Sequence, residues 1–172
     1  VLTGSATDAD NDPLVYSWEE YDLGSAGNWN AAQSSANDAP LFRPFPPVTS
    51  PSRTFPKLSD IINNTTTIGE ILPTVARTLD FRLTVRDNRI GGGGVWHNDV
   101  TQKVTTIATA GPFLVTSPNT AVSWGTGTSQ TITWNVASTD LAPISCANVK
   151  ILLSIDGGNT FENFKVSDAK FK

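Results

Sequence analysis

The chain has 172 residues with 12 Lys and Arg against 16 Asp and Glu, a net charge of −4 and an isoelectric point of about 4.8. No cluster of basic residues occurs, which argues against nucleic acid and anionic membrane as partners, and no apolar run approaches the ~20 residues that a membrane span needs. The length suits two small domains, each able to bury a core.

Helical periodicity is almost absent, whereas short runs alternating with period two recur between Gly, Pro, Asn and Asp. The chain begins at Val1 in what reads as mid-strand, so it is expected to be a piece of a longer protein. The first full strand is Leu14 to Glu19. Leu14, Tyr16 and Trp18 share one face of it, because successive side chains alternate across a pleated strand, and Trp18 is expected in the core rather than stacked on a sugar.

Residues 22–77 read as a long insertion. Its Pro-rich part, Leu41-Phe42-Arg43-Pro44-Phe45-Pro46-Pro47, cannot form an interior strand, because proline fixes φ and removes backbone donors. Phe42, Phe45 and Phe55 offer apolar area enough to pin it down. Leu58 to Asn64 fits one helical turn ending at the Asn pair.

Thr78 to Asp87 is the clearest strand, with Leu79, Phe81, Leu83 and Val85 inward and charges outward, as in a half-exposed antiparallel sheet. The four glycines Gly91 to Gly94 make a turn, and a further strand is expected from about Asp99 to Thr109. Ala110-Gly111-Pro112 breaks that strand. A second unit follows with strands near Phe113, at Thr131 to Val136 and at Val149 to Ile155, and a turn at Asp156 to Asn159. Cys146 has no partner for an internal disulfide and is expected as a small buried side chain.

The run Asp8-Ala9-Asp10-Asn11-Asp12-Pro13 places three carboxylates at alternate positions. They repel one another unless neutralised, and a hard divalent cation taking oxygen ligands does this, which makes calcium the expected cofactor; a solvated acidic turn is the plain alternative. The spacing imitates the helix-loop-helix calcium pattern, with Glu19 even at position 12, but Pro13 stands where that loop needs Gly and the flanks are strands. Calcium takes six to eight oxygens, so a second loop has to contribute. Asp87 and Asn88, at the end of the clearest strand, are the candidates, and Asp99 is a weaker one.

Catalytic signals are poor. His97 is the single histidine, no Cys/His cluster accompanies it, no Gly-x-Ser-x-Gly turn occurs, and the glycine run lacks the Lys and helix of a phosphate cradle. The chain itself is therefore not expected to be an enzyme. Trp29 and Trp96, read as loop residues, are candidates for stacking on a glycan, the alternative function being glycan binding or cell adhesion.

Gly4 to Trp18 resembles the opening of cadherin-like and PKD-type sandwich domains of bacterial surface proteins. Pro40 to Asn64, Val85 to the glycine run, Gly111 to Pro118 and Ser154 to Phe161 resemble the region after the catalytic domain in secreted reprolysin-like zinc metalloproteases of Bacteroidetes. The likeness implies an all-β chain of two tandem antiparallel Ig-like or PKD-like β-sandwich domains, residues 1–109 and 110–172, the second short or incomplete. It also implies a non-catalytic module, secreted or on the cell surface by the type IX route, whose partners are an upstream protease domain of the same chain and a protein or glycan substrate. Relative to similar proteins a hairpin is missing between Phe161 and Glu162, after which residues to Phe171 look like a closing strand. The Thr, Ser, Asn and Gly content and the lack of Met agree with such proteins by association only.

Overall fold

A computed structural model describes residues 1–24 and 39–163. The chain divides into two compact units, Val1–Ile107 and Ala108–Lys172, and among the described residues the sheets are antiparallel with one short helix. Trp29 and most of the expected closing strand lie outside the described residues.

The first unit is organised by one long strand. In chain order it contains β1 (Leu2–Thr3), β2 (Leu14–Glu20), β3 (Ser52–Arg53), α1 (Leu58–Asn63), β4 (Arg77–Asp87), β5 (Val95–His97) and β6 (Gln102–Thr106). β2 pairs with β4 along its whole length, from Leu14 opposite Asp87 to Glu20 opposite Phe81. β5 and β6 pair with successive stretches of β4, Thr84 opposite His97 and Phe81 opposite Gln102. The strand expected from Asp99 to Thr109 is thus shorter, and β5 precedes it. Asn98 interrupts the run, its side-chain oxygen taking the Leu83 N–H at 2.7 Å where a ladder carbonyl would otherwise accept.

Alternation on β4 sends Leu79, Phe81, Leu83 and Val85 into the core, where they meet Trp18 from β2 and Ala39, Leu41 and Phe42 from the irregular segment. Leu14, Tyr16 and Phe55 pack against this cluster. Just after β1, Gly4 lies so close to Leu83 that a Cβ there would run into a Leu83 methyl, so the position takes only glycine without displacing the core.

The Pro-rich segment is pinned, by fewer aromatics than expected. Phe42 and Phe55 stack edge-on at 5.2 Å, and Phe55 lies 4.6 Å from Phe81, whereas Phe45 stays at the surface under the Arg53 guanidinium at 4.3 Å. Its prolines cannot donate to a ladder. Only Val48 pairs with β2, exchanging two hydrogen bonds with Tyr16. Polar staples supply the rest. Arg53 donates to the carbonyls of Trp18 and Arg43 at 2.6 and 2.8 Å and pairs with buried Glu70 at 2.5 Å, while the other Glu70 oxygen takes the Lys57 N–H at 2.7 Å. The helical turn forms as the sequence suggests, closed by Asn64 in the left-handed region at φ 50°.

In the second unit β7 (Leu114–Ser117) pairs with β8 (Thr133–Asn135), and β9 (Leu152–Leu153) with β10 (Glu162–Asn163). No residue described between 108 and 161 is buried. Cys146 is accordingly exposed, contrary to expectation, its thiol donating to the Asn148 carbonyl at 3.2 Å; a core is what it would need for burial, and the described residues do not build one around it. Of the strand expected at Val149 to Ile155 only Leu152–Leu153 forms, the extent over which β10 pairs with it.

Candidate functional site

The β2–β4 register decides which loops meet. Leu14 opens β2 opposite Asp87, which closes β4, so the turn before β2 and the turn after β4 emerge at the same end of the sheet. This brings Asp8, Asp10 and Asp12 beside Asp87, the partner chosen for them from sequence.

The first turn is held from within. One Asp8 carboxylate oxygen accepts the N–H groups of Asp10 and Asp12 at 2.9 and 3.0 Å, and Asn11 between them adopts φ 62°, a left-handed value that Asn tolerates. The second turn mirrors it. Asp87 accepts the N–H groups of Arg89 and Gly94 at 3.0 and 3.1 Å, which hold its carboxyl below the usual range against a smaller opposing effect of burial. A Cβ on Gly93 would stand 2.8 Å from the Asp87 carbonyl, so the glycine run serves close approach as well as turning.

The charges are unevenly matched. Arg89 reaches across the two turns to Asp10 at 2.5 Å and to Asp12 at 3.9 Å. Asp12 is nevertheless raised above the ordinary aspartate value, first by desolvation and then by the charges of Asp8, Asp87 and Asp10. Four carboxylates therefore share one electrostatic neighbourhood with one guanidinium bridging two of them. Asn88 is exposed. Among the described residues no group of three or more His, Cys, Asp or Glu converges closely enough to form a metal cage.

The other residues singled out by sequence lie apart from this edge in their roles. His97 is exposed on β5 with Nδ1 3.3 Å from the Asn98 carbonyl, and Trp96 beside it, expected in a loop, sits on the same strand and is 57% exposed. No helix among the described residues is long and apolar enough to cross a membrane. Comparison with known proteins finds no match among family models, curated proteins or solved structures.

Sequence reading missed two buried acids. Glu20 and Glu70 are both buried and tie the irregular segment to the sheet. For Glu20 the signal was present, because alternation from Leu14, Tyr16 and Trp18 continues to position 20 on the core face.

Proposed function

We propose that the chain is a non-catalytic, secreted or surface-located accessory module of a zinc metalloprotease. In this reading it consists of two β-sandwich units and acts as a spacer that positions the protease or its substrate. The observation that supports the reading is the stapling of an irregular, Pro-rich segment onto the first sheet by Arg53, Glu20 and Glu70. A stiff spacer transmits a set distance because ordering its loops beforehand removes the flexibility that would blur it.

Calcium belongs to this proposal as a brace at the acidic edge. The residues fit it in charge and oxygen chemistry, and Asp8, Asp10, Asp12 and Asp87, with Asn88 joining, would hold the ion. They do not fit as a finished cage, because Arg89 occupies the place of the counter-ion. Arg89 is 55% exposed at its side chain, so turning it out to solvent costs little, and calcium binding is then an exchange of one cation for another. Thermal unfolding of the full chain with calcium and with chelator tests the brace. Stabilisation of about 2.7 kcal/mol is expected at free calcium about a hundred times the Kd, lost in Asp12→Asn; melting temperatures that ignore calcium would remove the ion from the proposal.

The glycan-binding alternative has one supporting observation, the exposed Trp96 on β5. Glycan-array binding lost in Trp96→Ala would favour it over the spacer.

A further inference from the structure

Glu20 ends β2 on the core face, and its side chain is fully removed from solvent. One carboxyl oxygen, Oε2, accepts two N–H groups, from Leu41 at 2.6 Å and Phe42 at 2.7 Å. These bonds fasten the irregular segment to the strand. The second oxygen, Oε1, has no N–H or hydroxyl donor among the described residues. Arg77 comes no nearer to it than 3.8 Å and is engaged by Asp22 at 2.9 Å and by the Ala39 carbonyl at 3.1 Å.

The neighbour within hydrogen-bond reach of Glu20 is the Asp22 carboxyl, whose own oxygens accept from Arg77 and from the Asp80 N–H at 3.1 Å. Two ionised carboxylates in a buried site repel, and two acceptors without a proton between them make no hydrogen bond. A buried oxygen without a donor, set against a carboxylate that already has its donors, is the position of an O–H.

We infer that Glu20 is a carboxylic acid in the folded protein, its Oε1–H donated to the Asp22 carboxylate, and that this single proton makes the fastening of residues 39–42 to β2 sensitive to pH. Among the described residues the charged groups facing Glu20 are Asp22 beyond β2, Arg77 on β4 and Arg53 on β3, the last felt through its charge alone. One negative charge on the acid pair leaves Arg77 matched. A second would be buried without a donor. Asp22 and Arg77 also line an open cavity of about 740 Å³, which gives the proton a route to water.

Burial, followed by the bond to Asp22, raises Glu20 from 4.5 to about 8. A raised value stabilises the fastened state fully below pH 4.5, and this stabilisation is lost as pH rises towards 8. Hydrogen exchange of the full chain, corrected for intrinsic rates, reads the opening at the Leu41 and Phe42 amides. In the wild type their opening constant should rise about tenfold per pH unit between roughly pH 5 and 7.5 and level off above about 8, as one linked proton requires. In Glu20→Gln, whose amide donates to Asp22 at every pH, it should stay flat. The carboxyl carbon of Glu20 in the wild type, followed by NMR, should titrate in the alkaline range. A Glu20 carboxyl that titrates below about pH 5 overturns the inference, whether or not the Gln variant folds.

Discussion

The two units of this chain are built from similar sequence patterns and reach different degrees of burial. In the first, one 11-residue strand carries partners on both edges, and the face that it turns inward, shared with Trp18 of β2, is covered by Leu41, Phe42 and Phe55. In the second, Leu114, Val115, Leu152 and Leu153 alternate or cluster as strand residues do, yet all remain about 40–50% exposed. Period-two alternation says that a strand has an apolar face; it does not supply the layer that covers that face. In the first unit the cover comes from a segment that no strand pattern marks.

The largest effect that separates the units should come from Phe81→Ala. Phe81 is 2% exposed between Phe42 and Phe55, so truncation should cost roughly 3–5 kcal/mol by urea unfolding followed at Trp18. Val115→Ala in the second unit should stay within about 0.5 kcal/mol. Equal losses at the two positions would break the comparison, since they would mean that Val115 is as well packed as Phe81.

A smaller effect tests the polar staples. Arg53→Met removes one side of the pair with Glu70, whose side chain is wholly buried, and leaves the carboxylate without its cation. The loss should be about 3 kcal/mol, and the Arg53→Met/Glu70→Met double variant should lose less than the sum of the two single changes. Additive losses in that double-mutant cycle would show that the pair acts as two separate anchors rather than one staple.

These staples also mark how far the sequence could be read. The strand β4, the core side chains of β2, the helical turn and the glycine turn follow from local rules of alternation, capping and backbone freedom, and each is in place. The meeting of Asp12 with Asp87 was legible for the same reason, because two adjacent antiparallel strands bring the start of one beside the end of the other, here Leu14 opposite Asp87. What local pattern could not carry is any bond that joins positions distant in the chain without a ladder. Arg53 reaching Trp18, and Glu20 reaching Leu41, depend on where a proline-interrupted segment comes to rest, and proline removes the ladder signal by which that path would be recognised. Cys146 failed for a related reason. Its local context fits a buried site, but burial depends on a cover that its neighbours in sequence do not encode.

The smallest effect lies in the turn between β9 and β10, where the second unit holds its shape by local hydrogen bonds. Asp156 accepts the Thr160 N–H at 2.9 Å, the Thr160 hydroxyl at 2.7 Å and the Ser154 hydroxyl at 2.8 Å, and these donors lower its carboxyl from 3.8 to about 2. A lowered value contributes stability that is present above pH 3.8 and disappears as pH falls through about 2, the reverse of the Glu20 dependence. Because the carboxyl is open to solvent, acidification should release the turn alone. The Thr160 amide should shift and lose protection between about pH 4 and 2, while the Leu83 amide, paired with Asn98 in the first unit, keeps its own. Asp156→Asn should remove the acid transition without moving the urea midpoint of the first unit. If the Asp156 carboxyl titrates at its ordinary value, the turn lacks these bonds in solution, and the contrast between a unit held by its core and one held by its turns loses its second half.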